Sequence, residues 1–121
     1  IAVEVSDVFE SYEVMIKNGA ISCVPATKII DRDEKLGSID YAEIKLYGDV
    51  SLRLINSKGY TGRFLPNFKD IILSETKRKF DYGVQKFDHI VGNLWTLQPT
   101  MQHLQNITGF HKFAEFTADV V

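Results

Sequence analysis

Ile39-Asp40-Tyr41-Ala42-Glu43-Ile44-Lys45-Leu46-Tyr47-Gly48-Asp49-Val50-Ser51-Leu52-Arg53-Leu54-Ile55-Asn56 is the stretch that decides the fold. Two alternating runs, 39–47 and 50–56, flank Gly48-Asp49, a pair suited to a two-residue hairpin turn with positive φ at its first position. Successive side chains of a strand point to opposite sides, so Ala42, Ile44 and Leu46 share one face of the first run. Val50, Leu52 and Leu54 share a face of the second. The expectation is a half-buried antiparallel hairpin.

Toward the N-terminus, Ile1 to Val5 alternates as a strand does, and Asp7 with Glu10 gives a capping-box-like helix start. Val8, Tyr12, Met15 and Gly19 then follow helical spacing, with Phe9 and Ile16 alongside and Glu10, Glu13 and Lys17 toward water. The helix is expected to run to about Asn18, closed by Gly19. Ala20 to Ile30 reads as a strand interrupted by Pro25, and Asp31-Arg32-Asp33-Glu34-Lys35 as a solvated charged turn. The order is strand, helix, strand, strand, strand.

A chain of 121 residues with 45% hydrophobic content is about one domain long and can bury a sizeable core. Its formal charge of −2 gives no general attraction to phosphate backbones or anionic membranes, so nucleic acid is not an expected partner. No apolar run is long enough to span a membrane. Cys23 is the only cysteine, which excludes an intrachain disulfide and a thiolate zinc cluster and allows a reducing compartment. The opening on Ile-Ala-Val-Glu-Val and the stop just after a strand-like stretch read as a piece of something longer.

Residues 57–85 break the rhythm with Ser57-Lys58-Gly59, Thr61-Gly62, Pro66 and the basic run Thr76-Lys77-Arg78-Lys79. Connections inside compact domains are mostly about 4–6 residues, so 57–85 is expected to link two domains, with Phe64-Leu65-Pro66-Asn67-Phe68 packed across their junction. The pattern then restarts: a strand over Asp88–Asn93, a helix capped by Asn93 with Leu97, Met101, Leu104 and Ile107 as its stripe, Gly109 at its end, and a strand over Phe110–Thr117. Placing Val3–Val8 on His89–Leu94 aligns both expected caps, so a repeated βαβββ unit and a chance agreement of two β–α junctions are both open.

Phe87, His89 and Val91 share one face of the expected strand, where the imidazole is either a packed core residue or a metal ligand at a cavity wall. Asp88 is expected on the opposite face, which argues against a direct bond to that ring. His111 and Glu115 lie about 13 Å apart along a strand, too far to share one ion. His103, among Gln102, Gln105 and Asn106, is expected to be solvent-exposed, Trp95 to cover the helix start, and Cys23 to be a small buried hydrophobe.

Tyr47-Gly48-Asp49-Val50 with Leu52-Arg53, Phe64-Leu65-Pro66-Asn67-Phe68, Phe87-Asp88-His89 with Val91-Gly92-Asn93, and Gly109-Phe110-His111-Lys112-Phe113-Ala114-Glu115-Phe116-Thr117 stand in an order that resembles the 4-hydroxyphenylpyruvate dioxygenases of plants and algae. The resemblance implies an α+β fold of βαβββ modules of the vicinal oxygen chelate type, one complete and a second begun. It assigns 1–56 to the end of a non-catalytic N-terminal domain, 57–85 to the interdomain linker and 86–121 to the start of a catalytic domain. It further implies an Fe(II) enzyme of tyrosine catabolism that converts 4-hydroxyphenylpyruvate and O2 to homogentisate and CO2 on a facial triad of two histidines and a glutamate. His89 matches the first histidine and Val91 a substrate-pocket position; the other two ligands would lie beyond Val121, and no residue is assigned a catalytic role of its own. The piece alone is expected to be inactive, and the whole protein to be a soluble, cytoplasmic homo-oligomer.

Leu94-Trp95-Thr96 departs from the valine-proline-glutamate usual in plant-type sequences, and Ala118-Asp119-Val120-Val121 lacks a second aspartate often found there. Both departures bear on lineage more than on chemistry. Two alternatives stay open: hydroxymandelate synthase, which shares fold, metal and substrate, and a metal-free binding or dimerisation module in which His89 is only core.

Overall fold

The hairpin forms where the alternation puts it. In the computed structural model, which describes residues 1–69 and 82–116, β3 (Ser38–Tyr47) and β4 (Val50–Asn56) pair antiparallel, with Ala42 opposite Leu54 and Ile44 opposite Leu52. Gly48 has φ of 50° and Asp49 is not in the left-handed region, as the turn requires. β1 (Ala2–Glu4) lies parallel to β4, and β2 (Ser22–Ile30) antiparallel to β3, giving a four-stranded sheet in the order β1-β4-β3-β2.

Between β1 and β2 the chain forms α1 (Val8–Lys17), whose N-cap Asp7 accepts a hydrogen bond from the Glu10 amide at 3.0 Å. The observed order is therefore βαβββ, a mixed α+β arrangement. Pro25 does not break β2. An edge strand has one side free of ladder bonds, and the register shifts between Ser22 and Thr27 absorb the missing amide. The same irregularity turns Cys23 outward, so the expectation that it is buried is wrong.

One face of the sheet carries the core: Ala42, Ile44, Leu46, Leu52 and Leu54 pack with Val8 and Ala20 from α1 and its exit. A second helix, α2 (Leu97–Thr108), inserts Ile107 into the same cluster at 2% exposure, with Leu104 beside it. Gly109 ends α2 with φ of 73°, as expected.

The start of α2 differs from the sequence reading. Thr96, not Asn93, is the N-cap, because a proline ring clashes with the carbonyl four residues back and is tolerated only in the first turn. A helix begun at Leu94 would put Pro99 in its second turn. The superposition that aligned Asp7 with Asn93 therefore fails to align the caps. His103 is half-buried, not solvent-exposed, since it lies one turn from Ile107 on the docked side.

On the opposite sheet face Leu65, Pro66 and Phe68 border a groove of about 320 Å³ with Ile29, Ile39, Tyr41 and Arg53. The 57–69 segment is held there by Asp31, which sits at 7% exposure rather than in a solvated turn. Its carboxylate accepts from the Asp33 amide (2.9 Å), the Asn67 amide (2.7 Å) and the Tyr60 hydroxyl (3.1 Å). Arg32 N–H donates back to Asn67 Oδ1, and Thr61 N–H to the Leu36 carbonyl. The Asn67 amide first, then the Asp33 amide and the Tyr60 hydroxyl, hold the Asp31 carboxyl below its ordinary range. The basic run at Thr76–Lys79 and the terminal 118–121 stretch lie outside the described residues.

Candidate functional site

The residues singled out for iron and substrate lie on the segment that leads into α2. A β-strand exists only with a partner to share its hydrogen bonds, and among the described residues no strand pairs with 88–93 or 110–116. The strands expected there are therefore absent, although the alternation that suggested them is real.

His89 stands on this unpaired segment with its side chain 73% exposed. Phe87, Ile90 and Val91 are exposed with it, and Trp95 is fully exposed rather than covering the helix start. The nearest hollow in sequence, about 230 Å³, is lined by Asn93, Leu94 and Trp95. The hollow expected at the His89 ring is not built by the described residues.

Asp88 contacts that ring, against expectation. With no pleat to force neighbours to opposite faces, its Oδ2 lies 2.6 Å from His89 Nδ1. A carboxylate only accepts, so Nδ1 carries a proton in this contact, and in the neutral ring Nε2 is the nitrogen with the lone pair. That is the state in which a second carboxylate prepares an imidazole to ligate a metal. Glu115 pairs with Lys112 and is not placed with His111. Among the described residues no group of three His, Cys, Asp or Glu side chains is close enough to hold a metal ion.

A second polar constellation lies on the sheet face away from the helices. Glu43 accepts from Tyr41 Oη at 2.6 Å and from Arg53 Nε and Nη2 at 2.9 and 2.7 Å, and the guanidinium lies 5.1 Å from the Tyr41 ring centre. The Tyr41 hydroxyl and then Arg53 hold the Glu43 carboxyl below its usual range. Ser51 Oγ adds a longer bond to Glu43 Oε2 at 3.5 Å, so this cluster is a satisfied cross-strand network.

Comparison with known proteins points to one group of relatives. The chain is 39% identical over its full 121 residues to 4-hydroxyphenylpyruvate dioxygenase of Daucus carota and 38% identical over its whole length to that of Arabidopsis thaliana. Over its whole length the chain is similar to 4-hydroxyphenylpyruvate dioxygenases. It spans about 26% of each of those two relatives. The similarly named protein of Pyricularia oryzae matches 91% of the chain at 30% identity. No protein-family model matches. His89 and Val91 lie inside the region shared with the plant dioxygenases.

Asp31 is the residue that sequence reading missed. The only signal available was its place at a strand exit, next to residues that can form Asx turns.

Proposed function

We propose that this chain is a section of an Fe(II)-dependent dioxygenase that converts 4-hydroxyphenylpyruvate and O2 to homogentisate and CO2. The observation that carries this reading is the match along the whole chain to relatives of that name, at 39% identity in the first case. His89 fits one position of a histidine-histidine-carboxylate set through its free Nε2, with Asp88 holding Nδ1. Val91, two residues on, is assigned to the wall of the aromatic substrate pocket. The vicinal oxygen chelate fold is consistent with the βαβββ order and the β1-β4-β3-β2 sheet.

Iron held in such a set supplies dioxygen activation coupled to loss of CO2 from the keto acid. What this chain's own residues do is narrower: His89 donates one lone pair and Asp88 fixes its tautomer. Among the described residues there is no complete donor set, and the 121-residue chain alone is expected to bind no stoichiometric iron. We assign 1–56 to a non-catalytic module and 86–121 to the opening of the catalytic one, in a cytoplasmic homo-oligomer. Among the described residues no helix is long and apolar enough to cross a membrane.

The test is oxygen uptake by the polypeptide that carries these residues at full length. With iron and 4-hydroxyphenylpyruvate, uptake should yield homogentisate and CO2 in equal amounts. Hydroxymandelate as the product, or no uptake, would overturn the assignment.

A further inference from the structure

The stretch that follows β4, residues 57–69, forms no helix or strand of its own and meets the loop between β2 and β3 through one isolated bridge, Tyr60 to Gly37. The hydrogen bonds that tie it down converge on that loop. Asn67 N–H and Tyr60 Oη donate to the Asp31 carboxylate, Thr61 N–H donates to the Leu36 carbonyl, and Arg32 N–H donates to Asn67 Oδ1. Gly37 lets the two backbones touch, because at its φ of 90° a Cβ would run into the Gly59 carbonyl.

Two features show that closure works against resistance. Phe64 and Asn67 sit in the left-handed region, with φ of 48° and 69°, a conformation that costs a ring side chain free energy. Phe64 and Phe68 stay 78% and 57% exposed with the stretch closed, so apolar burial gives little of that cost back. The bonds to a charged acceptor are the strong ones. Asp31 takes two of them from the stretch and a third from the Asp33 amide within its own loop, which holds the carboxylate in place. Beneath lies Ile39, at 1% exposure, in the groove it shares with Leu65, Pro66 and Phe68.

We propose that residues 57–69 are a strap, latched by the Asp31 carboxylate, that opens and closes as a unit over the Ile39 groove while β3 and β4 stay paired. Releasing the latch frees the strained backbone at Phe64 and Asn67 and uncovers one side of the sheet without touching the core on the other.

The test is amide exchange of the full-length polypeptide in low urea, read for residues 57–69 and for the β3–β4 ladder. A strap that opens by itself exposes little surface, so its exchange should be nearly independent of urea and faster than that of the ladder, whose exchange should steepen with urea. Asp31→Asn keeps the shape but turns an amine toward one set of donors, and should speed strap exchange at least about tenfold, the scale of one bond to a charged group. Tyr60→Phe, which removes one of the three donors and keeps the ring, should give a smaller acceleration. Asp33→Asn is the matched control: it removes the same charge two residues on, from a carboxylate that accepts from the Lys35 amide, and should leave the strap unchanged. Strap and ladder exchange with the same urea dependence would overturn the proposal. So would a strap rate untouched by Tyr60→Phe and Asp31→Asn, or raised as much by Asp33→Asn as by Asp31→Asn.

Discussion

Ile107→Ala tests whether α2 is docked on the first module's core or merely lies beside it. The side chain is 2% exposed within the cluster built by Val8, Ile44 and Leu54. Truncation removes three buried carbon groups, about 2.4 kcal/mol of transfer free energy at ~0.8 kcal/mol each. Incomplete collapse around the hole brings the cost to about 3 kcal/mol, inside the range of about 2–5 kcal/mol known for such changes. With a urea slope of roughly 2 kcal/mol per molar, the midpoint should fall by about 1.5 M. Leu97 is the internal control, because it lies on the same helix but is 51% exposed. Leu97→Ala should cost less than about 1 kcal/mol. Equal midpoint shifts for the two variants, followed by circular dichroism, would refute the docking of α2.

Three further outcomes follow from the same geometry. Asp31 and Glu43 have carboxyls held below their ordinary range, so their contribution to stability is fully present above the unfolded pKa, about 4, and is lost as pH falls through the folded values. The urea midpoint should drop between about pH 5 and pH 2, and Glu43→Gln should flatten that drop; an unchanged profile would contradict it. Asp7→Ala, which removes the acceptor for the Glu10 amide, should cost about 1 kcal/mol in chemical denaturation. Amide exchange should be faster over 86–94 and 110–116, which form no described ladder, than in β3 and β4, and equal protection would count against the unpaired assignment.

How much of this was legible in the sequence depended on whether the deciding contacts were local. The hairpin was, because alternation and a two-residue turn fix both faces at once, and Ala42, Ile44, Leu52 and Leu54 are all buried. The first helix was, because its cap bond joins residues three apart. The parallel pairing of β1 with β4 was not readable, since nothing in Ala2–Glu4 encodes a partner fifty residues away. The same gap explains 88–93 and 110–116: alternation gives a strand its faces but does not supply a neighbour. Asp31 failed for a related reason, because its partners Tyr60 and Asn67 lie far along the chain. At the candidate site the ligand role proposed for His89 comes from family resemblance and not from the residue pattern. Its bond to Asp88 was misread by assuming a pleat that did not form.

The central claim is that His89 supplies an imidazole to iron in a 4-hydroxyphenylpyruvate dioxygenase. Anaerobic Fe(II) titration of the full-length polypeptide, with His89→Ala beside the unaltered protein, tests it most directly. Stoichiometric binding that is lost in the variant, at an unchanged urea midpoint, is the predicted result. Equal binding by both proteins would contradict it.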